Sequence, residues 1–395
     1  MLALVNGKIL TISHGVIESG TVLIENGRIA AVGPEVKIPA GAQVVDCQGK
    51  VIMPGLIDAN SRVSVREDGN GPIGHDDSEM YTPIAPELKA IDAVWPEDLA
   101  LQDAIKAGVT CLSVGPSPLA IIGGQSATIK PYGKTVNDMV VKEPDGLKVS
   151  LSGTPRMLMF FGGDGVRPRD RSEDIAQFQA ALQRAKESEE KQARAAAKAA
   201  ENGKEPPAPD RNSQQEVLIK LLSGKLPARI AANQNHDIDN ALEIAGQWGF
   251  NLILEGGADA HLMVDKLTAK GVPVILGSLT DNRRGDTKNL SLKTPAILAN
   301  AGVKVSLSTN HPNAPIRYLM VQAALAVQGG MTEEQALRAL TLTPAEILGI
   351  ADRVGSIEPG KDADLVILSG EPLRTKTVVE RVFINGQEVY VEGGR

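Results

Sequence analysis

Chemistry in this sequence has few places to begin. Of five histidines, His75, His236 and His311 each follow a segment that reads as a β-strand, and acids stand near them: Asp76, Asp77 and Glu79 by the first, Asp237 beside the second, with Glu143 a further candidate. Imidazole titrates near neutrality and a carboxylate can orient it, so these residues would suit acid–base catalysis or a metal site built on loops. Loop histidines are more often solvated, and one at a strand end, such as His311, commonly bonds to backbone. His14 and His261 fall in a terminal β segment and on a helix, where packing or surface roles are expected. Cys47 and Cys111 are far apart and lack paired spacing, which points to neither a disulfide framework nor a thiolate zinc site; both are expected as small buried hydrophobes. Gly162-Gly163-Asp164-Gly165 and Gly123-Gly124-Gln125 lack the Gly-Lys-Ser/Thr ending of a phosphate loop, so both read as turns. No Gly-x-Ser-x-Gly elbow occurs, and Ser113 has no evident His and Asp partners.

The elements that must hold these residues are legible as an alternation. Strand-like segments at 51–57, 109–114, 147–151, 229–232, 251–254, 272–276 and 304–308 alternate with helical stretches such as 96–107, 237–248, 258–270 and 295–301. That alternation means parallel βαβ units, and about eight of them favour an α/β fold of the (β/α)8 TIM-barrel type. A doubly wound sheet is the second choice, because no glycine-rich dinucleotide loop follows an early strand. In a TIM barrel the residues after the strand ends share one face, which would bring His75, His236 and His311 to one mouth.

Both ends of the chain are β-rich, with Asn6-Gly7, Asn26-Gly27 and Asn385-Gly386 as hairpin signals. Terminal strands can pair with each other, so a discontinuous β-sandwich-like module from 1–53 and 356–395 is expected around a barrel over 54–355. A charged helical insertion is expected at about 171–209: Ser172-Glu173-Asp174 can cap it, 177–200 is rich in Ala, Lys, Glu, Gln and Arg, and the run from Gly203 to Pro209 breaks it. No continuous apolar stripe is visible, so it reads as a solvated surface helix. Arg156, Arg167, Arg169, Arg171, Arg283 and Arg284 lie mostly in loops, where solvation is the default.

A length of 395 residues and 42% hydrophobic content are ample for a packed core. A net charge of −7 gives no global attraction for nucleic acid or anionic membrane. No basic segment leads a long apolar one at the N-terminus, and no run approaches the roughly 18 apolar residues of a spanning helix. A cytoplasmic protein with no nucleic-acid or membrane partner is the expectation.

Several stretches carry a resemblance. They are Val51-Ile52-Met53-Pro54-Gly55-Leu56-Ile57-Asp58-Ala59, Lys89-Ala90-Ile91-Asp92-Ala93-Val94-Trp95-Pro96-Glu97-Asp98, Ala107-Gly108-Val109-Thr110, Ile122-Gly123-Gly124-Gln125, and Lys142-Glu143-Pro144-Asp145-Gly146-Leu147-Lys148. Near the end stand Thr343-Pro344-Ala345-Glu346-Ile347-Leu348-Gly349 and Gly355-Ser356-Ile357-Glu358-Pro359-Gly360-Lys361-Asp362-Ala363-Asp364. Together they resemble the imidazolonepropionase-like branch of the amidohydrolase superfamily over essentially the whole chain.

The resemblance implies a metal at the C-terminal mouth of the barrel, hydrolysing C–N bonds of cyclic amides or peptides. Its ligands would be His-x-His on strand one, often a carbamylated lysine midway, histidines on strands five and six, and an Asp on strand eight. This chain has Asn60 and Arg62 on strand one, Lys148 midway, Ala231 and Asn233 on strand five, Gly256 on strand six and Asn310 on strand eight. A guanidinium offers no lone pair and glycine has no side chain, so no metal or other cofactor is expected. Arg62 instead puts a fixed charge where a metal would provide one, and with Asn60, Asn233 and Asn310 it would suit a carboxylate or other small anion. The competing reading pairs Arg62 with Glu255, Asp58 or another acid, merely filling the space. The functional expectation is a pseudoenzyme that binds a small anionic ligand or supports a partner; the alternative is an active hydrolase with a site rearranged at the barrel mouth. Relatives of this kind often form homo-oligomers.

Overall fold

Two eight-stranded sheets organise the computed structural model, which describes residues 1–79, 82–155, 170–205 and 212–394. The first is made from both ends of the chain. β1 (Leu2–Leu10), β2 (Val16–Glu25), β3 (Arg28–Gly33), β4 (Gln43–Asp46) and β5 (Val51–Pro54) join β14 (Leu365–Leu368), β15 (Val379–Ile384) and β16 (Gln387–Val391) in the order β16-β15-β14-β5-β1-β2-β3, with β4 beside β1. Leu4, Ile9, Val22, Ile52, Leu365, Ile367 and Phe383 form its core.

Asn26-Gly27 and Asn385-Gly386 make the turns expected of them, with φ of 50° and 78° in the first and 51° and 72° in the second. Asn6-Gly7 does not. β1 runs through it as a bulge, with Asn6 at φ 62°. The cause is a change of neighbour: β4 flanks Leu2 to Val5, and β5 flanks Lys8 and Ile9. A Cβ at Gly7 would fall 2.7 Å from Ile52 Cδ1, so only glycine lets the strand pass from one neighbour to the other.

The second sheet forms the barrel. β6 (Leu56–Ser61), β7 (Val109–Val114), β8 (Ile122–Ile129), β9 (Val140–Ser150), β10 (Ala228–Ala232), β11 (Leu252–Gly256), β12 (Val274–Leu276) and β13 (Val305–Leu307) lie side by side in sequence order. The apolar run 51–57 is thus two strands, and the chain crosses from one sheet to the other at Gly55, where a Cβ would lie 2.0 Å from Thr110 Oγ1. Helices such as Leu99–Lys106, Asn235–Trp248 and Thr294–Asn300 connect the strands. The expected all-parallel barrel needs one correction: β8 runs antiparallel to both β7 and β9. Gly123-Gly124-Gln125, read as a turn, therefore lies within a wholly buried strand. Gly124, at φ 116°, permits this because a Cβ there would meet the Leu88 carbonyl oxygen at 2.7 Å. The segment around Leu88 can then bond across the strand, with Gln125 N donating to Leu88 O at 2.8 Å. β6 and β13 end the ladder and are joined by Ser308 Oγ donating to Asn60 O at 2.7 Å.

The helix Arg171–Glu201 starts on Asp170, whose side chain accepts from Glu173 N at 2.8 Å. Its first half is not a solvated surface helix. Phe178, Ala181, Leu182 and Ala185 recur at helical spacing and are buried, with Phe178 against Phe250. The remainder is exposed or half-buried. Among the described residues, no helix is long and apolar enough to cross a membrane.

Asp98 fastens the loop that follows β6. It caps the helix Leu99–Lys106 through Ala100 N at 3.1 Å and also accepts from Ser64 N at 2.7 Å and Asp68 N at 3.0 Å. Asp98→Ala should lower stability by about 1–2 kcal/mol, as loss of a well-placed N-cap does. Denaturant melts would check it, with Asp98→Asn recovering most of the loss.

Candidate functional site

The polar centre of the barrel is set by residues that point inward from strands otherwise made of apolar side chains. Ile57, Cys111, Ile253 and Ile275 form an apolar layer within it. Another layer is ionic. Arg229 on β10 is fully buried, its Nε 2.6 Å from Glu255 Oε1 and a terminal nitrogen 2.9 Å from Asp145 Oδ1. Asp145 also accepts from the hydroxyls of Ser113 at 2.5 Å and Thr128 at 2.7 Å, and from Ser126. Burial pushes the Asp145 and Glu255 carboxyls up, but Arg229 and the other donors outweigh it and hold both below the usual carboxylate range.

Lys148 completes this layer from β9. Its Nζ donates to Asn60 Oδ1 at 2.9 Å and to Glu255. Burial drives its pKa down; Glu255 opposes that and Arg229 reinforces it, leaving the amine at about 8. Asp58, one residue pair away on β6, accepts from Thr309 Oγ1 at 2.5 Å and Thr309 N at 3.1 Å. Burial raises its carboxyl against those bonds.

Above this layer a cavity of about 850 Å³ opens at the C-terminal ends of the strands. Asn60, Arg62, Lys148, Ala231, Asn233, Gly256 and Asn310 all line it, so the positions singled out on four strands and at Lys148 converge on one space. Asn233 and Gly256 share part of it. Gly256 has φ 90°, and a Cβ there would come within 2.5 Å of Asn233 Oδ1, so the amide of one residue occupies the room that a side chain at the other would need.

Arg62 pairs with neither Glu255 nor Asp58 but with another acid, as the competing reading allowed. Glu255 is taken by Arg229 and Lys148, and Asp58 by Thr309. Arg62 Nε donates to His311 O at 3.1 Å, and a terminal nitrogen donates to Asn313 Oδ1 at 2.9 Å and Asn310 O at 3.4 Å. Its acid is Asp77, at 3.7 Å. Asp77 is only 1% exposed, lies 3.6 Å from Arg66 as well, and neither of its carboxylate oxygens has a hydrogen bond.

The three histidines are not among the residues lining the cavity. His75 is exposed. His236 is 46% exposed at its side chain, with Nε2 3.2 Å from Asp237 Oδ1. His311 is buried beneath Arg62, and its ring nitrogens make no hydrogen bond, backbone included; Asp68 stands 3.5 Å from Nε2. Burial depresses its pKa, Asp68 opposes this, and Arg62 adds to it. Glu143 is paired with Lys89 at 2.9 Å. Arg171 is not simply solvated, since it donates to Asp237 at 2.8 Å and to Gln234 at 2.7 Å. Arg284 lines the cavity and Arg283 is exposed. Arg156, Arg167, Arg169 and the Gly162–Gly165 run lie outside the described residues.

Arg66, Arg229 and Asp145 were not singled out by sequence, and Asp77 was singled out only as a neighbour of His75, whereas it stands against Arg62 and Arg66. A signal existed only for Arg229, a charge inside an otherwise apolar strand, which requires buried partners.

Comparison with known proteins gives consistent matches. The Amidohydrolase family model matches residues 260–389. An amidohydrolase from Thermotoga maritima MSB8, known from its crystal structure, is 35% identical and superposes with a TM-score of 0.93, covering 99% of this chain and 100% of that one. Amidohydrolase tasK of Hapsidospora irregularis is 25% identical over 393 residues, covering 93% of this chain; the match spans only 39% of that longer protein. The imidazolonepropionase of Thermoplasma acidophilum is 24% identical over 375 residues, covering 90% of this chain and 83% of that one.

Proposed function

This chain belongs to the amidohydrolase superfamily, in its imidazolonepropionase-like branch, and from that premise we propose that its barrel mouth holds a small carboxylate-bearing molecule and works without a catalytic metal. The observation that carries the reading is Lys148, an amine on the cavity floor between Asn60 and Glu255. A divalent metal does not suit these residues. It needs converging lone pairs, whereas Asn60 and Glu255 already face a cation, Arg62 is itself one, and Gly256 contributes no side chain. Among the described residues, no group of three or more His, Cys, Asp and Glu stands together in a way that could hold a metal ion.

Arg62 and Lys148 supply the positive charge for a carboxylate, and the amides of Asn233 and Asn310 add neutral donors. Asp77, Glu255, Asp281 and Asp286 offset the cations Arg62, Arg66, Lys148 and Arg284 around the same walls. A polyanion gains little there. A small molecule with one carboxylate and a donor for the unbonded Asp77 oxygens fits better.

Two measurements test the reading. Plasma emission on protein purified without chelator should find far less than one metal per chain, and calorimetric titration with small monocarboxylates should give saturable binding. Stoichiometric zinc, manganese or iron supporting amide hydrolysis would overturn it, as would the absence of any carboxylate binding.

A further inference from the structure

Resting on the carboxylate-binding reading, we propose that Lys148 is a covalent site: its Nζ condenses with the carbonyl of a small 2-oxo acid to form an imine. Lys148 is the only lysine among the described residues that lines the cavity. The other buried lysine among the described residues, Lys130, has its amine committed to Asp362 at 2.9 Å, Asp364 at 2.9 Å and Asn385 at 2.5 Å, and it does not line this cavity. Lys148 donates to two acceptors, Asn60 and Glu255, so the neutral amine can keep both bonds and leave its lone pair for an incoming carbonyl carbon. Its stem lies over Gly115, where a Cβ would approach Lys148 Cδ to 3.4 Å. That packing holds the amine in one place, as a nucleophile requires.

The surroundings provide each step. Nζ in its neutral form adds to the carbonyl carbon, forming a C–N bond as the C=O π bond becomes a hydroxyl. One nitrogen proton passes through Glu255 to the oxygen to give that hydroxyl, the second passes by the same route to the hydroxyl, and water leaves as the C=N bond forms. The balance is one amine plus one 2-oxo acid giving one imine plus one water, with no redox change. Arg62, immediately after the strand that carries Asn60, receives the carboxylate. The depressed pKa of Lys148, about 8, makes the free amine available near neutrality, where an exposed lysine is almost wholly protonated.

The test uses the full chain with pyruvate and sodium cyanoborohydride, followed by peptide mass mapping. The expected result is a single reduced adduct on Lys148, formed faster as pH rises from about 7 to 9 and suppressed by lactate, which has the carboxylate but no carbonyl. Lys148→Arg, which keeps the charge and the ion pair, should abolish the adduct while the melting temperature stays close to that of the native chain. Lactate binding with no adduct on Lys148, or adducts confined to surface lysines and unchanged in Lys148→Arg, would overturn the imine while leaving the carboxylate reading intact. Absence of binding by both pyruvate and lactate would remove both.

Discussion

Arg229→Met should lower the free energy of unfolding by about 3–5 kcal/mol, the usual consequence of removing one partner from a buried ionic network. Methionine replaces most of the stem, so loss of packing is a minor part of the effect. The guanidinium is the larger part. It is fully buried and lies between Asp145 and Glu255, with further bonds to Ser113, to Ser126 at 3.2 Å and to the Ala59 carbonyl. Glu255 keeps Lys148 after the substitution, whereas Asp145 keeps only hydroxyls. An ionised carboxylate with no cation at the centre of the barrel is therefore the main cost.

The pH dependence gives that account a sign. In the native chain Asp145 and Glu255 titrate below the usual carboxylate range, so they contribute stability that is present above their unfolded pKa and is lost as pH falls through the folded values. Without Arg229 the burial effect on Asp145 prevails and its pKa rises above the unfolded value. Its contribution then favours the fold in acid and is lost as pH rises through the raised value. The deficit of Arg229→Met should accordingly be greatest near pH 7 and smaller near pH 5. Adding Asp145→Asn removes the stranded charge and should recover at least half of the loss at pH 7. Equal deficits at both pH values, with no recovery in the double variant, would mean that packing and not charge holds this layer together.

How far this was legible in sequence depends on the range of the interaction concerned. Asn60, Arg62, Asn233, Gly256 and Asn310 could be placed together because each follows or ends an apolar run, and a barrel brings such positions to one mouth. What Arg62 touches could not be read. Asp77 lies in an aperiodic loop whose return path depends on backbone bonds to Asp98, and nothing in the spacing of the two residues records it. The strand β8 was hidden for another reason. Its Gly123-Gly124 pair carries the usual mark of a turn, yet Gly124 is needed because the Leu88 segment crosses close above it. Asn6-Gly7 misleads in the same way, since positive φ serves a bulge as well as a hairpin. The dependence of Asn233 on Gly256 is a contact between two strands, invisible in either strand alone.

Arg62→Leu should raise the dissociation constant of a small carboxylate by ~30–100-fold, corresponding to about 2–3 kcal/mol for a charge-assisted pair. Arg62→Lys should fall between leucine and the native residue, because an ammonium keeps the charge and loses the fork. A purely structural role predicts something else: the three side-chain bonds to His311 O, Asn310 O and Asn313 would be lost, stability would fall, and affinity would change little at a temperature where the variant stays folded. His311 separates the two. Burial and Arg62 depress its pKa while Asp68 raises it, so removing Arg62 should move the imidazole titration upward in an NMR pH series on folded protein. In the native chain a depressed histidine favours the fold at neutral pH, and that contribution is lost as pH falls through the unfolded value near 6.5 and continues to decline to the folded one. The leucine variant should lose less stability over that interval. An upward shift at His311 with an unchanged dissociation constant would leave Arg62 as a clamp on the segment after β13 and rule it out as the anchor for the ligand.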